Sequence, residues 1–180
     1  MTTMEQKSKL LARWLRHRPD AIDLELDSRG WADVSDLLSK SAGTGTSIMR
    51  DELLQLVAAN DKQRFSLSED GARIRAAQGH SVDVDLKLAI KTPPPVLYHG
   101  TVERFLVAIR KQGLLPKRDE TCICLLPRRL QKRSVRDGGP QLYSLSRHPV
   151  LRDGYRFRRS ENGVWLIPSI PPKYLRFPDK

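Results

Sequence analysis

The sequence predicts an α+β chain in two parts, an N-terminal winged-helix domain and a C-terminal β-rich domain. Three observations carry that expectation. Three stretches of helical spacing precede two alternating stretches joined by Glu69-Asp70-Gly71, the order helix, helix, helix, hairpin. Pro93-Pro94-Pro95 cannot continue a helix and forms an extended strap, the clearest boundary in the chain. Beyond it, short apolar runs dominate, namely Val96-Leu97-Tyr98, Leu142–Leu145 and Gly163–Ile167. The expected limits are 1–90 for the first domain, 91–95 for the linker and 96–180 for the second.

Lys9–Arg18 sets Leu10, Leu11, Trp14 and Leu15 on one helical face, and Pro19 predicts an end at Arg18. Arg16, His17 and Arg18 therefore crowd the last turn. Cations there complement the helix dipole, and they also make a candidate anion clamp. Arginine forks match phosphate, and His17 can donate a hydrogen bond or pass a proton. Leu24-Glu25-Leu26 alternates like a short strand, and Ser28-Arg29-Gly30 reads as a turn. Trp31, Val34, Leu37 and Leu38 recur at helical spacing, and 39–46 reads as a polar loop. Asp51–Ala59 predicts a third helix, with Arg64–Ser68 and Ala72–Ala76 as the hairpin. Gln78-Gly79-His80-Ser81 follows, rich in hydrogen-bonding groups.

Past the strap, the strand at Val96 delivers His99, Gly100 and Thr101 side by side. Glycine admits a ligand close to the backbone, and its neighbours can hydrogen-bond that ligand. Val102–Gln112 predicts an amphipathic helix closed by Gly113. No periodicity is readable from Lys117 to Arg136.

A chain of 180 residues with 39% hydrophobic content has enough material for real cores. No apolar run approaches a membrane span and the first residues lack a signal-peptide core, so the expected location is cytoplasmic, with no membrane partner. Cys122 and Cys124 lie too close for an unstrained disulfide and lack further zinc ligands nearby, so free thiols and no metal are expected. The net charge of +11 points to a polyanionic partner, of which nucleic acid is the commonest. Neither a Gly-x-x-x-x-Gly-Lys-Ser/Thr loop nor Gly-x-Gly-x-x-Gly nor Gly-x-Ser-x-Gly occurs, which argues against P-loop, Rossmann and nucleophile-elbow chemistry.

Six separated motifs appear in order across nearly the whole chain: Leu15-Arg16-His17-Arg18-Pro19, Leu26–Trp31, Arg64-Phe65, Ile74–Ser81, Leu97–Thr101 and Glu161–Leu166. Together they resemble the RNA 2'-phosphotransferase (Tpt1/KptA) family. The resemblance implies a winged-helix domain followed by a domain like NAD-dependent ADP-ribosyltransferases. It implies NAD as co-substrate and RNA carrying an internal 2'-phosphate, of the tRNA splice-junction type, as partner. No protein partner is implied. In the implied reaction the phosphate attacks the nicotinamide-bearing ribose carbon and expels nicotinamide. The ribose 2''-hydroxyl then attacks phosphorus, giving RNA with a free 2'-hydroxyl and ADP-ribose 1'',2''-cyclic phosphate. By the resemblance, Arg16, His17 and Arg64 belong to an Arg-His-Arg-Arg set around the phosphate, and Arg118 falls near the fourth place. Tyr98, His99, Gly100 and Thr101 match the NAD-holding segment. Gln78–Ser81 matches a second polar segment, near the RNA phosphate or NAD, and Gln78, His80 and Ser81 are assigned with Arg18 to substrate.

Residues 118–136 depart from the family pattern. Asp119–Cys124 does not match the strand expected there, and its His-Leu-Ser is missing. Glu120–Cys124 can be encoded so that a shifted frame reads Asp-Met-His-Leu-Ser, and a frame shift would account for the departure and impair activity. Two further readings stay open. One is a basic winged-helix nucleic-acid binder with an inactive C-terminal domain. The other is an ADP-ribosyltransferase acting on nucleic-acid phosphate ends.

Overall fold

The computed structural model describes residues 3–59, 63–116, 123–125 and 141–177. The chain divides into two compact units, Met1–Lys87 and Leu88–Lys180. Each mixes helices with small antiparallel sheets, so the fold is α+β as the sequence predicts.

In the first unit, helix α1 (Met4–Arg16) starts at Thr3 in a capping box: the Gln6 amide donates to the Thr3 hydroxyl, and the Thr3 amide to the Gln6 side chain. Leu11, Trp14 and Leu15 are buried, as the spacing predicts. The helix stops two residues short of Arg18. The amides of His17 and Arg18 both turn back to the Arg13 carbonyl at 2.9 Å, and Pro19 opens a separate 3-10 turn, Pro19–Ile22.

Leu24–Leu26 is not a strand. Leu24 is buried, and the segment ends where Asp27 takes the Arg29 and Trp31 amides on its carboxylate and donates its own amide to the Trp31 carbonyl. The strand is instead β1 (Trp31–Asp33), inside the run read as helical. Asp33 explains the change: its carboxylate accepts from the Asp36 amide, so helix α2 (Val34–Ala42) begins only after it. Helix α2 also runs into the predicted loop at 39–46. Ser41 is fully buried within it, donating to the Leu38 carbonyl at 2.8 Å and accepting from the Ile48 amide at 3.1 Å. Helix α3 is Arg50–Ala58. Strands β2 (Phe65–Leu67) and β3 (Arg73–Ala76) form the hairpin, and the sheet order is β1-β3-β2.

The register of that sheet decides what each face presents. Ala32, Ile74 and Leu67 align in one row, and Trp31, Arg75 and Ser66 in the next. Side chains alternate between faces, so Ala32, Ile74, Phe65 and Ala76 join α1, α2 and α3 in the core, while Trp31, Arg75, Ser66 and Arg73 face outward.

In the second unit, β4 (Val96–Thr101) pairs along its full length with β6 (Gln141–Ser146), and β9 (Leu175–Arg176) lies on the other side of β6. A second sheet has the order β5 (Ile123–Leu125), β8 (Trp165–Ile167), β7 (Arg158–Arg159). All three residues of β8 are buried, which matches the continuous apolar run. The proline strap is held by Arg147, whose guanidinium donates to the Pro93 carbonyl at 2.8 Å and whose amide donates to the Pro95 carbonyl at 3.0 Å. Arg147 opens helix α5 (Arg147–Arg152). The helix predicted over 102–112 is split into a 3-10 turn, Glu103–Phe105, and α4 (Leu106–Gln112), which buries Ile109.

Gly113 ends α4 at φ +82°. Leu114 and Ile170 exchange two backbone hydrogen bonds of 2.8 and 2.9 Å, which draws the chains so close that a Cβ on Gly113 would run into the Ile170 carbonyl oxygen. Gly113→Ala therefore combines a strained φ with a backbone collision. It is expected to destabilise the second unit by about 3 kcal/mol. Urea unfolding followed by circular dichroism checks this; an unchanged midpoint contradicts it.

Candidate functional site

Most of the first unit's predicted residues come together at the end of α1. The Arg16 carbonyl is among the last of the helix and lacks an intrahelical partner, so it can accept from outside. It takes the Ser81 amide at 2.9 Å and the Val82 amide at 3.4 Å, which hooks 78–82 over the helix end. Gly79 at φ +83° makes the turn, and a Cβ there would lie only 3.7 Å from an Arg16 guanidinium nitrogen. The Ser81 hydroxyl lies 3.0 Å from His17 Nδ1, which fixes the ring through that nitrogen.

Between these groups His80 is buried, with 6% of its surface exposed. Its Nε2 has no hydrogen-bond partner among the described residues. Burial pushes its pKa down to about 4, and Arg16, His17 and Arg75 nearby push in the same direction. A neutral imidazole thus sits beside the positive groups of Arg16 and Arg75. Gly30 packs against it: a Cβ on Gly30, at φ +76°, would approach His80 Nε2 to 3.3 Å. Such an arrangement is suited to an anion. Positive groups already gathered and desolvated gain most when a phosphate relieves their repulsion, and they need not reorganise to do it.

Arg64 lies one residue before β2, half-buried, with its carbonyl accepting from the Ala77 amide at 2.8 Å. Gln78 is also half-buried in the hooked segment. Arg18 is turned elsewhere: its fork closes on the Asp20 carboxylate with bonds of 2.9–3.1 Å. Arg75 and Gly30 lie within the quoted motifs but were assigned no part in the site. The alternation Arg73-Ile74-Arg75-Ala76 carries a signal for Arg75, but its closeness to His80 depends on how the following loop folds.

In the second unit, β4 alternates about Leu97, which is buried in the core. His99 and Thr101 share that face, both half-buried, near the strand's end. Tyr98 and exposed Gly100 lie on the opposite face. The strand therefore gathers two of the three side chains of the predicted NAD segment on one side and sets Tyr98 on the other. An exposed glycine between two half-buried hydrogen-bonding side chains leaves the backbone open to close approach. Charge is divided unevenly along the chain. Residues 1–87 carry 13 Lys and Arg against 14 Asp and Glu, whereas 88–180 carry 19 against 7.

Arg118 and Cys122 lie outside the described residues, as does the departing stretch 118–136 apart from Ile123–Leu125. Among the described residues no three His, Cys, Asp or Glu gather as a metal would require, and no helix is long and apolar enough to cross a membrane.

The first unit thus gathers basic side chains around a buried histidine at the end of α1, and the second carries His99, Gly100 and Thr101 near the end of β4. Comparison with known proteins names the family. The model of the RNA 2'-phosphotransferase, Tpt1/KptA family matches residues 2–169. A protein of Burkholderia pseudomallei, described as a probable RNA 2'-phosphotransferase, is 55% identical over 172 residues, covering 95% of this chain and 94% of its own. Proteins described in the same words from Streptomyces coelicolor and Pseudomonas aeruginosa are 46% and 43% identical, each covering 93% or more of both chains. The chain belongs to the RNA 2'-phosphotransferase, Tpt1/KptA family.

The depressed His80 pKa has a measurable consequence. Above pH 6.5 the imidazole is neutral both folded and unfolded, and it costs nothing. As pH falls from 6.5 to about 4 the unfolded chain takes up the proton while the folded ring resists it, so stability is lost. The wild type should lose about 3 kcal/mol relative to His80→Gln between pH 7 and pH 4. Urea unfolding at a series of pH values reads this, and parallel curves for the two proteins contradict it.

Proposed function

We propose that this chain removes an internal 2'-phosphate from RNA, with NAD as co-substrate, and so acts as a transferase. Family membership across residues 2–169 carries the reading. The relatives named above are described as probable RNA 2'-phosphotransferases. In this reading the N-terminal unit is a winged-helix domain and the C-terminal unit an ADP-ribosyltransferase-like one. The helix, strand and hairpin order of the first and the paired short strands of the second are compatible with that.

Roles follow from chemistry. NAD supplies the ribose carbon that receives the phosphate. The substrate phosphate is its own nucleophile, so the protein must hold it, neutralise it and exclude water. Arg16 and Arg64 hold the phosphate oxygens, with Arg118 as the family's fourth basic position. These forks stabilise charge that gathers at phosphorus when the RNA 2'-oxygen leaves. His17, fixed at Nδ1 by the Ser81 hydroxyl, moves a proton in that step through Nε2. Gln78, His80 and Ser81 shape the phosphate pocket, and Arg18 would meet the substrate only by leaving the Asp20 carboxylate. His99 and Thr101 hold NAD from one face of β4, Gly100 admits it, and Tyr98 supports the strand from the opposite face. A cytoplasmic location and tRNA as natural substrate belong to the same reading.

The test is turnover. With NAD and an oligoribonucleotide carrying one internal 2'-phosphate, the protein should release nicotinamide and yield the 2'-hydroxyl strand; absence of both products overturns the reading. Arg16→Ala and Arg64→Ala should each lower the rate at least about a hundredfold while the folded signal in circular dichroism persists. Undiminished rates would take these arginines out of the site. His99→Ala should raise the KM for NAD about tenfold or more, with oligonucleotide affinity little changed. Equal KM values for variant and wild type contradict that role.

A further inference from the structure

The outward face of the first unit's sheet carries a row of side chains that borders the cation cluster. Trp31, Arg75 and Ser66 stand side by side across β1, β3 and β2. The Arg75 guanidinium lies 4.4 Å from the Trp31 ring centroid and that of Arg73 lies 5.5 Å from it. Of the chain's three tryptophans, Trp14 and Trp165 are 3% and 6% exposed, whereas Trp31 is only partly buried. Beside the row, Asp33 caps α2, and Asp27 takes the Arg29 and Trp31 amides, with its second oxygen 3.9 Å from Arg73. The first unit as a whole is nearly charge-balanced, so two arginines against one indole are a local feature, not a by-product of a basic surface.

The row adjoins the cation cluster. Trp31 follows Gly30, whose Cβ position lies 3.3 Å from His80 Nε2. His80 precedes Ser81, which meets His17. Arg75 belongs to both groups, near His80 on one side and over Trp31 on the other.

We propose that Trp31 and Arg75 form a stacking platform for the base of a nucleotide flanking the 2'-phosphate in the RNA. This rests on the reading of the chain as an enzyme acting on RNA. A base offers a π-face that stacks on an indole or a guanidinium plane, and such stacking tolerates any base. Arg75 is already held against the indole, so less freedom is lost when a base arrives. The platform recognises a single strand next to the phosphate without reading its sequence. Paired bases stacked within a helix would be less able to use it.

Anisotropy of a labelled oligoribonucleotide bearing one internal 2'-phosphate tests this in the absence of NAD. The base on either side of the phosphate is removed in turn. Wild-type protein should lose about tenfold or more in affinity for one of the two abasic strands. Trp31→Ala should bind the intact strand as weakly as wild type binds that abasic one, with no further loss when the base is removed. RNA should quench wild-type tryptophan emission, and the quench should vanish in Trp31→Phe, which keeps a ring for stacking. If Trp31→Ala fails to fold, the wild-type abasic series and the Trp31→Phe quench still decide. Equal losses for wild type and Trp31→Ala at both flanks, or a quench that survives in Trp31→Phe, overturn the platform and leave phosphate binding standing. Affinity indifferent to the 2'-phosphate, with the base coupling at Trp31 intact, supports the platform and counts against the phosphate site.

Discussion

The first unit depends on burying a neutral imidazole among cations. His80 is carried there by its neighbours in the chain, since the Ser81 and Val82 amides hook 78–82 onto the Arg16 carbonyl and the ring is buried beside that helix end. That hook also satisfies a carbonyl a helix end would otherwise leave to water. A protonated ring in the same position would be a charge buried away from water beside two guanidinium groups, which is why its pKa falls. Packing, hydrogen bonding and electrostatics therefore constrain one another. The helix end fixes the loop, the loop fixes the ring, and the neutral ring lets the arginines stay close.

How much of this was legible in the sequence depends on the range of the cause. The apolar face of α1 and the hairpin at 65–76 follow from local periodicity, and both are present. Trp31 was misplaced because residues 31–38 satisfy helical spacing across a strand-to-helix joint. Only Asp33, as a capping residue, marks the break. Arg75 could be assigned to a face by alternation, but its partners could not. They depend on register with β1, a long-range pairing that no local pattern fixes. Burial of His80 was equally invisible, since a histidine in a polar loop reads as exposed.

In the second unit the strand itself was readable and its use of side chains was not. His99, Gly100 and Thr101 look like one group in the sequence, yet the pleat divides Tyr98 and Gly100 from His99 and Thr101. A single face of β4 offers two hydrogen-bonding side chains. The opposite face offers an aromatic ring and bare backbone. Any ligand resting on this strand meets one set or the other, except at Gly100, where the backbone itself can be approached.

The uneven charge separates attraction from recognition. With 19 basic against 7 acidic residues, 88–180 draws polyanions of any kind, and salt weakens that pull beyond roughly 10 Å. Residues 1–87, with 13 against 14, exert little net field at that range. What they do with an anion must come from groups within hydrogen-bonding distance, and those are gathered around His80 and Ser81. Under the proposed function, a phosphate would be distinguished from other anions by fork geometry and by the shape of the hooked loop, not by how strongly the chain attracts negative charge.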